Sequence, residues 1–127
     1  MLNFRNDFYT QNIASEFDLN APGIYEWRIE GVGLYIGKAL KLKSRIRAYP
    51  NNVRRLIAGE HWHGDPSREY RIIHKALRAA HDERVAVVVI VLENCHRDDR
   101  TMREQHWISR RLAEHRDGGL RLLNFGF

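Results

Sequence analysis

The chain has little of what a disulfide scaffold, a membrane span or an exported protein requires. Its single cysteine, Cys95, excludes an internal disulfide and any cysteine-built zinc cage, and suits a reducing compartment, by default the cytoplasm. The apolar run from Val85 to Leu92 is far shorter than the roughly 20 residues needed to cross a bilayer. Where a signal peptide would be continuously apolar, Arg5, Asp7 and Glu16 interrupt the N-terminal stretch, so neither a membrane nor an export role is expected. Repeats and low-complexity segments are also missing, and with 43% hydrophobic and 29% charged residues the composition is that of a folded domain rather than a disordered tail.

A length of 127 residues suffices for one hydrophobic core, so a single domain is expected. A net charge of +5 and a pI near 9.7, carried mostly by arginine, suit a polyanionic partner because guanidinium groups grip phosphate oxygens in pairs.

Residues 1–20 are polar with scattered aromatics (Phe4, Phe8, Tyr9, Phe17) and read as an arm or short helix packed on a domain spanning 21–127. From Ile24 to Glu30, Tyr25, Trp27 and Ile29 alternate with Glu26, Arg28 and Glu30, the period of a half-buried strand. Gly31 and Gly33 make a turn, and Leu34 to Gly37 returns, which predicts a hairpin over Ile24 to Lys38. Leu42, Ile46 and Tyr49 follow at helical spacing, and Pro50 predicts the end of that helix, roughly Leu40 to Tyr49. Asp65-Pro66 reads as the start of a second helix carrying Tyr70, Ile73, Leu77 and Ala80 on one face. The β-branched run Val85 to Leu92 predicts a strand buried on both sides. A last helix covers roughly Arg100 to His115, stopped by Gly118-Gly119. The expected fold is therefore α/β of the α+β kind, a small, mainly antiparallel three-stranded sheet flanked by helices.

Polar residues on faces that should be apolar carry the functional information. Arg45 falls between Leu42 and Tyr49 on the sheet-facing stripe of the first helix, where a guanidinium needs an anion. Glu104 stands in a row with Ile108 and Leu112; a carboxylate there should meet a cation or a metal. Tyr25 and Tyr35 lie within the hairpin strands, flanked by Gly23, Gly33 and Gly37, and Lys38 follows directly. Two phenols, two cations and one acid thus belong to elements that would enclose one cleft. The same pattern also suits core tyrosines and a structural Arg45–Glu104 ion pair.

These residues spell a family signature. Gly23-Ile24-Tyr25 and Tyr35-Ile36-Gly37 stand where the GIY-YIG endonucleases have their two name-giving tripeptides, and LYIGKALKLKSRIRAY resembles that family's strand-to-helix segment, with Arg45 and Tyr49 at its arginine and tyrosine-or-histidine positions. REQHWI resembles the helix bearing the metal-binding glutamate, here Glu104, and LLNFGF the closing segment with its asparagine, here Asn124. The resemblance runs from about Gly23 to Phe127. The stretch between Tyr49 and Glu104 is longer than in the compact excision-repair members and is more like the small phage-type or homing-type ones.

The resemblance implies a metal-dependent DNA endonuclease. Glu104 would hold one Mg²⁺ (or Mn²⁺) per site, completed by water and substrate oxygens. Arg45, assisted by Lys38, would stabilise charge on the phosphate. A tyrosine would be the general base, lowered in pKa by nearby cations; Tyr35 is the preferred one, with Tyr25 hydrogen-bonded to it and Tyr49 completing the pocket, although the sequence does not decide between the phenols. Asn124 and Gly37 would be structural or substrate-positioning residues. Arg54, Arg55, Arg68, Arg71 and His63 are candidates for DNA contacts. His61 and His63 lack the helical spacing of a zinc pair, and His74 reads as a packed or surface histidine. One such site per chain implies that double-strand cleavage needs two copies, hence a homo-oligomer. The alternative is a nucleic-acid-binding module that keeps this fold without cutting.

Overall fold

The computed structural model describes residues 3–115 and 120–125; Gly118 and Gly119, expected to stop the last helix, lie outside them. The fold is α+β, a five-stranded mixed sheet in the order β1-β4-β2-β3-β5 with three helices. Its central part is the expected antiparallel trio, β2 (Gly23–Ile29), β3 (Gly33–Ala39) and β4 (Val87–Asn94). The two additional strands are two-residue parallel edges, β1 (Thr10–Gln11) on β4 and β5 (Arg121–Leu122) on β3. Neither is long enough to show the alternation by which a strand is recognised in a sequence.

The β2–β3 hairpin turns through Gly31, whose φ of 72° is readily adopted only by glycine. Its register pairs Tyr25 with Gly37 and Trp27 with Tyr35, so these four share one face. On that face lie α1 (Leu42–Ile57) and α2 (Ile72–Glu83), closing a core of Tyr25, Trp27, Ile29, Leu42, Ile46, Val53, Leu77 and Val89. The opposite face is covered by α3 (Arg100–Glu114) over Ile24, Leu34, Ile36, Ile108 and Leu122.

Three expectations change. Helix α1 continues through Pro50 to Ile57, because the buried stripe Leu42, Ile46, Tyr49 extends to Val53. Burying an apolar side chain contributes about 1.5–3 kcal/mol, and Val53 with the partly buried Ile57 offsets a proline defect of about 3 kcal/mol. The first amides of α1 are met by backbone carbonyls, Leu42 N–H donating to Ala21 (3.2 Å) and Lys43 N–H to Leu19 (2.8 Å). Asp65 does not start α2; its carboxylate accepts from Ser67 N–H and Oγ–H in a local turn, and the helix begins at Ile72. Strand β4 is fully buried only at Val87, Val89 and Val91; Val88, Ile90 and Leu92, on the other face, are half-buried, and of these Leu92 packs on the cluster around Ile108. The described part of the 1–20 arm holds no helix: Phe8 is buried beside His81, and β1 extends the sheet.

Among the described residues no helix is long and apolar enough to cross a membrane.

Candidate active site

Tyr25 projects from the middle of the sheet across Gly37. A Cβ at residue 37 would collide with the phenol's Oη and Cζ and lie 2.7 Å from Cε2, so only glycine lets that ring lie flat over β3. The Tyr25 hydroxyl forms a short hydrogen bond with the Tyr49 hydroxyl from α1. This replaces the expected Tyr25–Tyr35 bond: the pleat places Tyr25 opposite Gly37, not opposite Tyr35. Burial pushes the Tyr25 phenol up to about 12 despite its bond to Tyr49, and burial with the neighbouring phenols Tyr25 and Tyr35 pushes Tyr49 well above its ordinary value. Both therefore remain protonated at neutral pH. Tyr35 packs on Tyr49 at 6.4 Å between ring centroids and is the half-buried member of the trio.

Arg45 stands on the shoulder of α1 rather than on its buried stripe, and its side chain is partly exposed. Partial burial opposes its charge, but the phenols of Tyr25, Tyr49 and Tyr35 outweigh that and raise its pKa. Its guanidinium thus neighbours all three tyrosines. Lys38, at the end of β3, donates from Nζ to Thr101 Oγ1 at 2.9 Å, which ties the strand to the first turn of α3.

Glu104, one turn farther along α3, is half-buried. Burial raises its carboxyl pKa, opposed by the positive charges of Lys38, Arg45 and Arg71. Among the described residues neither Glu104 nor Arg45 forms an ion pair, so the structural Arg45–Glu104 bridge is not made. The row containing Glu104 continues differently from the expected one. At 100° per residue Arg111 returns to within about 20° of Glu104, whereas Leu112 lies about 80° away. Leu112 is accordingly 47% exposed and Arg111 buried.

Arg111 meets Glu26, a carboxylate that sequence alternation placed on the polar strand face with Arg28 and Glu30. Glu26 is 0% exposed and accepts from Arg111 Nε and Arg28 Nε, both at 2.7 Å, while Arg111 Nη1 also reaches Glu114 at 2.9 Å. The strand face that reads as polar is in fact roofed by α3. An arginine at the Arg111 position of the Glu104 row was the available signal.

Asn124 lies at the opposite edge of β3. Its Nδ2 donates to the Ile36 carbonyl (2.7 Å) and its Oδ1 accepts from Ile36 N–H (3.0 Å). The side-chain amide thereby prolongs the two-residue β5 ladder and holds the Tyr35–Gly37 backbone.

No family model matches the chain, and the searches of curated proteins and of solved structures likewise return no match. Assignment of the site rests on its own chemistry.

Beside Arg45 opens a cavity of about 300 Å³ lined by Arg45, Arg55, Arg68, Arg71, Trp62, His63 and His74, among others. Four of the expected DNA-contacting residues, Arg55, Arg68, Arg71 and His63, thus converge; Arg54 points elsewhere on α1 and is exposed. His74 is 4% exposed and packs against Tyr49 at 5.4 Å. Burial, then Arg71 and Arg45, depresses its pKa to about 4, so it is neutral at physiological pH. Among the described residues no group of three or more His, Cys, Asp and Glu side chains is gathered as a metal cage, leaving a lone carboxylate whose remaining ligand positions would fall to water and substrate. That donor set suits Mg²⁺, which retains several waters and takes one or two carboxylates. A half-buried carboxylate without a protein partner also has reason to take up a cation.

Proposed function

We propose that the chain is a metal-dependent DNA endonuclease of the GIY-YIG kind that hydrolyses one phosphodiester per site. The observation that carries this reading is the meeting of Glu104, Arg45, Lys38 and three phenols from four different elements, with the acid and the guanidinium both left without an ion-pair partner among the described residues. A purely structural cluster would pair them, since unpaired partly buried charge is costly.

Glu104 would hold one Mg²⁺ (or Mn²⁺), which supplies polarisation of a non-bridging oxygen and eases departure of the leaving oxygen. Arg45 binds the phosphate and stabilises the charge that develops on it, and Lys38, anchored on Thr101, adds a second positive charge. Tyr35 takes the proton from the attacking water. Its partial exposure supports this role, whereas Tyr25 and Tyr49 are occupied with each other and held protonated. Their pair fixes the wall against which Tyr35 packs, and Asn124 fixes its backbone. With one such set of groups per chain, double-strand scission takes two copies.

The test is plasmid cleavage by Glu104→Gln. Loss of Mg²⁺-dependent nicking with DNA affinity equal or higher is expected, because the substitution removes a negative charge that faces phosphate. Undiminished Mg²⁺-dependent nicking overturns the assignment, and DNA binding without cleavage by the wild type would make the chain a silent binding module.

A further inference from the structure

Hydrolysis at Glu104 does not explain the arginine cavity between α1, the Trp62 turn and the start of α2. We propose that it is a phosphate subsite that holds one DNA backbone phosphate next to the scissile one. The proposal rests on the DNA-cleaving reading above for the identity of the polyanion, but the cavity's taste for phosphate stands on separate observations.

Arg45, Arg55, Arg68 and Arg71 all line the cavity, and no aspartate or glutamate does. Among the described residues none of the four guanidiniums is in an ion pair. Like charges gathered around one hollow repel one another until an anion enters it. Two of them are held in place by an aromatic platform: Cζ of Arg68 lies 4.9 Å and Cζ of Arg71 5.6 Å from the Trp62 ring centroid. Trp62 is itself packed against Tyr70 and His74, so its ring serves to orient guanidiniums rather than to stack a nucleobase.

The second observation is His74. Its Nε2 lies 3.2 Å from Asn52 Nδ2. An amide nitrogen only donates, so Nε2 accepts and the proton of the neutral ring resides on Nδ1. That Nδ1 is buried without a partner among the described residues. His74 itself lines the arginine cavity, and a phosphate oxygen drawn up to its ring would give this unmatched N–H the acceptor it lacks.

The position follows from shared residues. Arg45 lines the cavity and neighbours the three phenols, while Arg71 lines the cavity and acts on Glu104. A phosphate in the cavity is therefore adjacent to one at Glu104, and both belong to one bound strand.

Three measurements on the full chain in EDTA, where DNA stays whole, test this. For the wild type the salt dependence of duplex binding is compared with that of Arg68→Gln/Arg71→Gln, both exposed positions whose change circular dichroism should show to leave the fold intact. If the two arginines share one phosphate, log K against log salt loses about 0.9 in slope; a loss near twice that means separate surface contacts and overturns the single subsite. A duplex with one neutral methylphosphonate beside the cut position should bind the wild type more weakly and the double variant equally. Side-chain NMR of His74 should shift with duplex and, more weakly, with inorganic phosphate. A His74 signal moved by inorganic phosphate but not by DNA assigns a small-anion site and overturns the proposal, as does a signal that neither ligand moves. Cleavage with all three readouts unchanged sinks the subsite and spares the nuclease reading. The expected readouts without any cleavage do the reverse.

Discussion

Replacing Arg111 with methionine strands the Glu26 carboxylate. Glu26 is wholly inaccessible, and its two partners are unequal: Arg111 is buried, whereas the Arg28 side chain is 43% exposed. Removing one member of a buried pair costs about 3–5 kcal/mol, since the remaining charge is left in a poor dielectric. A domain has only about 5–15 kcal/mol in total, so a large part of the stability should vanish. At this length each kcal/mol corresponds to about 3–5 °C, and the midpoint of thermal unfolding should fall by roughly 10–25 °C. Methionine retains most of the apolar stem of arginine, so lost packing contributes little. Urea unfolding should show the midpoint falling with an unchanged m-value. Adding Glu26→Leu should recover most of the loss, because replacing both charges by apolar groups is close to neutral or stabilising. Since α3 carries Glu104 as well as Arg111, nicking by the single variant should drop with stability and return in the double one. A cost under about 1 kcal/mol for Arg111→Met, or a double variant as damaged as the single, would refute the reasoning.

Gly37→Ala should destabilise by about 1–3 kcal/mol, the usual range for overpacking, and shrinking the facing ring with Tyr25→Leu should relieve part of it; additive losses in a double-mutant cycle would mean the two do not touch. Tyr35→Phe should abolish nicking in a folded protein, whereas Tyr25→Phe should slow it less, and the opposite ranking by plasmid assay would move the base to Tyr25. In the wild type the raised Tyr25 phenol is neutral when the unfolded one is already ionised, so stability is complete below pH 10 and declines as pH climbs toward 12. Tyr25→Phe should flatten that alkaline decline in denaturant titrations. Arg45→Lys keeps the charge and loses the planar two-point grip, so nicking should fall by orders of magnitude at similar stability; near-normal rates would return Arg45 to a purely structural part.

What the sequence made legible was whatever has a period. The hairpin and α3 lie within a residue or two of their expected bounds because alternation and helical spacing run through them without interruption. Pro50 misled, since a local conformational rule competes with a buried stripe that continues to Val53. Glu26 misled for the opposite reason: alternation tells one strand face from the other but not whether a helix will cover the polar one. For the candidate site, the residue types were readable and the pairings were not. Tyr25 bonds Tyr49 because of sheet register, and Asn124 reaches Ile36 because an edge strand needed a partner. His74 was readable only as a packed or surface histidine, and its unpartnered nitrogen depends on Asn52 from another helix.

The clasp between Asn124 and Ile36 also orders events in time. The two residues are 88 positions apart, and at about 5–20 residues per second of synthesis the outer edge of β3 waits roughly 4–18 s for its closing partner. Throughout that interval the hairpin, Arg45 and later Glu104 have all been made, while the Ile36 amide and carbonyl point outward with nothing to bind. Such an edge invites pairing with another nascent chain. A ribosome that stalled just short of Asn124 would therefore release a polypeptide with every charged group of the site present and the strand bearing Tyr35 still unfastened.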